Sequence, residues 1–185
     1  MKKPWLFALL LLPALHPRPA SALDEVTATD IVTGLVPIGG LVLTYSNDDP
    51  AGRRQYFWSM ATSMAVVNGS RLAFKDHEWA TRPNGHPYGF PSGHMAFLGA
   101  GAAFLQDRYG WKWGVPAWAA TGYTAWVRVD DDHHRWRDIV AALVVVEASS
   151  LYFTTRFPDM TVKPLFSDEY EKAAGLQIEY RFAAR

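Results

Sequence analysis

Apart from His16, every histidine lies between positions 77 and 134: His77, His86, His94, His133 and His134. Lys75, Arg82, Arg128, Arg135 and Arg137 stand in the same part of the chain. Imidazoles titrate near neutrality and can attack, take up or release a proton, while guanidinium groups stay cationic. Set in loops between apolar stretches, such groups point to a site for an anion rather than to a solvated face.

Two segments carry most of that chemistry. In Pro91-Ser92-Gly93-His94, Ser92 is a good helix N-cap and the apolar Met95-Ala96-Phe97-Leu98 follows. The free N–H groups of a helix start, with a small Gly93 that permits close approach, suit an anion. Taken alone, an ordinary cap with an incidental histidine fits equally well. The second segment is Asp130-Asp131-Asp132-His133-His134-Arg135-Trp136-Arg137-Asp138. If Asp132 caps a helix, His134 and Asp138 are four residues apart on one face of its first turns. A carboxylate there could accept one imidazole N–H and leave the other nitrogen free to attack. A metal site built from the acidic run and both histidines is the rival reading. Adjacent residues point apart, however, and the nearby arginines oppose a cation. The plain alternative is a charged helix start on the surface.

Together these residues resemble the three signatures of the type 2 phosphatidic acid phosphatase superfamily. Lys75, six residues, then Arg82-Pro83 resembles the first; Pro91-Ser92-Gly93-His94 the second; Arg128, five residues, His134, three residues and Asp138 the third. The order is right and the separations are plausible. The signatures span residues 75–138, and the helical pattern around them extends the resemblance over most of 31–156. One departure stands out: the third signature usually has Ser before its Arg, and this chain has Val127, which offers no hydroxyl. The superfamily includes lipid phosphate phosphatases, bacterial class A acid phosphatases and vanadium haloperoxidases. The resemblance implies a phosphomonoesterase that works through a phosphohistidine, with no metal and no other cofactor. By the same resemblance His134 is the nucleophile, Asp138 its orienting partner and His94 the general acid. Lys75, Arg82 and Arg128, with Ser92 and the Gly93 N–H, hold the phosphoryl oxygens. The implied substrate is a phosphate monoester or diphosphate, either lipid-linked or, as in the soluble acid phosphatases, a small water-soluble ester. A haloperoxidase would use the same anion pocket for vanadate.

The elements that must position these groups show as charge-free runs. Residues 31–47, 55–70, 83–106 and 113–127 contain no Asp, Glu, Lys or Arg, and 139–155 is broken only by Glu147. These runs are too long for ordinary strands and end in charges or turn residues, so the expected fold is all-α, a bundle of about five core helices. Pro83, Pro87 and Pro91 with Gly85 and Gly89 make the first part of the third run an ordered loop, with its helix starting near Ser92. After Pro158, Leu176, Ile178, Tyr180 and Phe182 alternate with polar residues. That two-residue period predicts a short strand in the C-terminal tail, at an edge or in a hairpin.

The chain has 185 residues, 49% hydrophobic, with 18 basic and 18 acidic residues and no cysteine. Disulfides, a thiol nucleophile and a cysteine-built zinc site are excluded. There is no basic excess for counterion-release binding to nucleic acid. Lys2 and Lys3, the apolar run 5–12 and Ala20-Ser21-Ala22 have the layout of a secretory signal peptide, against the alternative of a retained anchor. The expected organisation is a signal peptide over 1–22, a helical phosphatase domain over 23–158 and a tail over 159–185. Export places the protein in the periplasm or in the inner membrane with its site facing the periplasm. The apolar runs fit either membrane association or the buried helices of a soluble bundle, since a spanning helix wants ~20 apolar residues.

Overall fold

The computed structural model describes residues 25–158, 160–166 and 174–180, the last two segments through their backbone. The signal segment and Phe182 lie outside the described residues. Five α-helices follow one another: α1 Glu25–Ser46, α2 Pro50–Phe74, α3 Gly93–Tyr109, α4 Trp111–Asp130 and α5 Trp136–Phe153. Each charge-free run holds one of these helices, the third only from Gly93 onward, and every helix runs past its charge-free run at one end or both. An antiparallel hairpin follows, β1 Met160–Phe166 paired with β2 Ala174–Tyr180 in a register that sets Val162 opposite Ile178. The alternating stretch is its second strand.

Local chemistry sets the helix ends. Asp49 caps α2 by accepting the Gly52 N–H at 2.8 Å, with Pro50 just inside the helix. Ser92 caps α3 by accepting the Met95 N–H at 3.4 Å. Gly110, at φ 86°, turns the chain from α3 into α4, a conformation that costs glycine little. The start of α5 differs from expectation. Asp132 does not cap it; Asp132 sits at φ 54° in a turn closed by the N–H groups of His133 and His134, both donating to the Arg128 carbonyl at 3.0 Å. Arg135 occupies the N-cap position, and Asp138 reaches back to accept its N–H at 2.8 Å. His134 therefore lies before the helix, not on its first turn.

Helix α3 is the central member and packs against each of the other four. Its Gly99-Ala100-Gly101-Ala102-Ala103 segment is buried and keeps the neighbours close. A methyl group on Gly101 would come within 2.7 Å of the Pro37 Cα, so α1 and α3 meet backbone to backbone. Met95, Leu98, Val67, Ile139 and Val146 fill the core around it. At the end away from the histidines, buried Arg108 grips Asp49 with Nε at 2.7 Å and Nη2 at 2.5 Å, and the Tyr109 hydroxyl donates to the same carboxylate.

The other helices are arranged with small polar residues inward and large apolar ones outward. Thr33, Thr44, Ser63, Thr121, Thr124 and Ser149 are buried, whereas Leu35, Ile38, Phe57, Trp58, Val115 and Val144 are exposed. Several inward hydroxyls donate to a carbonyl one turn back, Thr33 to Thr29 and Thr121 to Ala117 among them. Among the described residues, α1 is the one helix long and apolar enough, by length and composition, to cross a membrane.

Candidate active site

Four links bind the loop before α3 to the turn before α5. The Ser92 N–H donates to the Asp138 carbonyl at 3.0 Å and the Asn84 N–H to the Asp132 carbonyl at 3.2 Å. Arg135 Nη1 reaches the Thr81 carbonyl at 2.5 Å, and Arg137 Nη2 donates to the Trp79 carbonyl. The second and third signature segments, some forty positions apart in sequence, are thereby one structure.

His134 stands at the centre and is 1% exposed. Its Nδ1 lies 2.9 Å from the Gly89 carbonyl. A carbonyl only accepts, so Nδ1 carries the proton and Nε2 presents its lone pair. Nε2 is buried without a hydrogen-bond partner. Asp138 Oδ2 is 3.9 Å from Nδ1, beyond hydrogen-bond range. The expected His134–Asp138 hydrogen bond is thus replaced by a backbone carbonyl, because His134 precedes the helix and the four-residue spacing is not a helical one. Asp138 instead caps α5 and lies 3.5 Å from Arg137 Nε. Gly89 can play its part only as glycine: a Cβ there would sit 2.6 Å from the Ala80 carbonyl oxygen.

Burial pushes the His134 pKa down to about 3, helped by the Arg82 cation, and by His94 and Arg128, against the opposing pull of the Gly89 carbonyl. The imidazole is therefore neutral across the physiological range. A pH dependence follows. The unfolded chain takes up this proton near pH 6.5 while the folded chain refuses it until about 3, so stability falls as pH drops through that window. Wild type should lose about 1 kcal/mol per pH unit more than His134→Asn, which keeps a donor for Gly89 but cannot titrate. Denaturant midpoints between pH 6.5 and 4 test this; parallel profiles would contradict it.

Arg82 and His94, whose charges act on the imidazole, line an open cleft of about 290 Å³ together with Arg71, Gly93, Phe97 and Thr33. Arg82 Nε is buried and unpartnered. Gly93 opens α3, so the cleft meets a helix N-terminus. His94 follows it, and its Nε2 lies 3.5 Å from Asp30 Oδ1. The buried Arg128 comes from the last turn of α4, and its Nη2 donates to the same Asp30 oxygen. Ser92 is fully buried with its Oγ accepting the cap hydrogen bond, which leaves its O–H free to donate. Val127 is buried too.

Of the residues singled out from the sequence, the structure brings His134, His94, Arg82, Arg128, Ser92, Gly93 and Asp138 together. Lys75 is the exception: it sits at the C-cap of α2 with an exposed side chain and does not line the cleft. Arg71, one turn earlier, takes that place; its Nη1 would lie 2.7 Å from a Cβ on Gly93. His133 turns aside and pairs with Asp131 Oδ2 at 2.9 Å, and His77 and His86 are exposed. Among the described residues no group of three or more His, Asp or Glu side chains is placed to hold a metal ion. Compared with protein-family models, curated proteins and solved structures, the chain matches none.

If the cleft binds a phosphoryl group, Arg71 and not Lys75 should carry the affinity. Arg71→Ala is expected to raise KM for a phosphate ester ~10-fold or more, and Lys75→Ala less than threefold, in line with charge-assisted hydrogen bonds as against a distant exposed charge. Equal effects would show that Lys75 swings into the site.

Proposed function

We propose that this chain is a metal-independent phosphatase that transfers a phosphoryl group from a lipid-linked phosphate to His134 and then to water. The observation that carries this reading is the buried, neutral His134 with its unpartnered Nε2, which feels the charges of Arg82 and His94, two residues that line a cleft shared with Arg71 and the N-terminus of α3. The likeness of the three sequence segments to the type 2 phosphatidic acid phosphatase signatures supports it. Phosphoryl transfer depends mostly on positioning and on stabilising charge over the equatorial oxygens. Arg71, Arg82 and Arg128, the Gly93 N–H and the Ser92 hydroxyl are the groups for that role. Nε2 attacks phosphorus as the P–O bond to the leaving group breaks, and His94 gives that oxygen a proton. Water then attacks the phosphohistidine, passing its proton to His94, and the P–N bond breaks.

The distribution of apolar surface supports a membrane-embedded enzyme. The outer helices α1, α2, α4 and α5 have 22, 25, 20 and 18 residues, ~27–38 Å of helix against a hydrocarbon core of ~30 Å. Apart from the partly exposed Glu147 of α5, their exposed faces are free of Asp, Glu, Lys and Arg between the two ends, while their inward faces carry Ser, Thr, Gly and Ala. Those inward residues lower the average hydropathy of α2, α4 and α5, but lipid meets only the outer face, and small residues suit contacts between membrane helices. Exposed Trp79, Trp126 and Trp136 lie at the site end, and Tyr45, Trp111 and Tyr152 at the other, as interfacial aromatics do. Chain emerging from a signal peptide enters α1 at the site end, which supports a periplasmic site. The test is phosphate release by the detergent-purified full chain from lipid phosphates and from water-soluble esters, side by side. Preference for the soluble esters, with protein recovered free of membranes, would overturn the lipid reading.

A further inference from the structure

The carboxylate of Asp30 has no part in the signatures, yet it touches two groups of the site. It stands near the start of α1, half exposed, and a single oxygen, Oδ1, accepts from Arg128 Nη2 and lies 3.5 Å from His94 Nε2. Resting on the phosphatase reading, we infer that Asp30 is a specificity-determining residue that makes the site select phosphomonoesters over diphosphates.

Charge and place both argue for this. Arg71 and Arg82 line the cleft, Arg128 adds a third guanidinium group, the Asp30 carboxylate touches Arg128, and His134 is neutral. Asp138 is engaged with the Arg135 N–H and Arg137. Asp30 thus offsets part of the positive charge of the site, so a more highly charged anion meets a reduced positive field beside it. The position of Asp30 adds direction. His94 is the group that protonates the departing oxygen, so a carboxylate beside its Nε2 lies on the leaving-group side. An alcohol leaving group places no charge there. The leaving phosphate of a diphosphate places an anion against Asp30, and like charges a few ångströms apart are costly at the effective dielectric of a partly open site.

The test is titration calorimetry on the detergent-solubilised full chain with two probes that are not turned over, orthophosphate and methylenediphosphonate. Wild type should bind orthophosphate more tightly. Asp30→Asn should shift the ratio of affinities toward the diphosphonate by ~10-fold or more, after allowance for screening at a half-exposed position. Asp30→Glu, which keeps the charge, should keep the wild-type preference. The inference is overturned if Asp30→Asn leaves the ratio unchanged, if it strengthens both probes equally (Asp30 then merely competes for Arg128), or if wild type already favours the diphosphonate. Hydrolysis of a lipid monophosphate and a lipid diphosphate is measured on the same preparations. A shifted binding ratio with no hydrolysis of either would sink the phosphatase reading while leaving Asp30 as the selector of the bound anion.

Discussion

His134→Ala is expected to abolish phosphate release, by about 10⁴-fold or more in kcat, while His133→Ala stays within a few-fold of wild type. The two residues are neighbours in sequence and opposites in surroundings. His134 is buried, its Nδ1 proton given to the Gly89 carbonyl, and its Nε2 free of partners. His133 is partly exposed and paired with Asp131. A neutral imidazole fixed in one tautomer has its attacking lone pair ready without first losing a proton. Because burial holds its pKa at about 3, loss of activity in mild acid should not come from protonation of this group. The measurement is initial rates for both variants with a rapid-quench search for the covalent intermediate. A phosphoenzyme that survives in His134→Ala, or equal damage from the two substitutions, would sink the assignment.

The same pair of variants bears on Asp138. Its carboxylate caps α5 and lies 3.9 Å from the imidazole, so Asp138→Ala should cost less than removal of the nucleophile and should also lower stability through the lost cap. Orientation of His134 falls to Gly89, whose carbonyl has no side chain to betray it in the sequence.

That contrast shows what the sequence could and could not disclose. The five helices were legible because charge-free runs of such length, bounded by charges and turn residues, are too long for ordinary strands. Which face of each helix turns inward was not legible from the runs, since threonines and serines that look like a polar face are the buried ones here. Most of the site was legible because His94, Arg82, Arg128 and His134 keep a recognisable spacing. Arg71 was hidden because a basic residue near the end of a helix usually marks a solvated last turn. The signal that could have found it is its distance of four residues from Lys75, which puts both on one helix face. Asp30 was hidden for a different reason: its partner Arg128 is 98 positions away, and only the packing of α1 against α4 brings them together. The start of α5 was misplaced because Asp132 has the side chain of a cap, whereas the Arg128 carbonyl draws the next two N–H groups into a turn and delays the helix to Trp136.

The second large effect concerns His94 and depends on the leaving group. An alkyl or lipid alkoxide is a poor leaving group and needs a proton as the P–O bond breaks; p-nitrophenolate departs readily without one. His94→Ala should therefore slow phosphoenzyme formation from an alkyl phosphate by ~10²–10⁴-fold, and from p-nitrophenyl phosphate far less. The position of His94 supports this role: it lies on the first turn of α3 and lines the cleft with its imidazole partly open to it. Steady-state rates would blur the contrast, because the same imidazole takes the proton from water when the phosphohistidine is hydrolysed. Single-turnover release of the alcohol isolates the first step. If His94→Ala slows both substrates equally there, the imidazole is holding the phosphoryl group or its neighbours in place, and proton donation must be sought from another group.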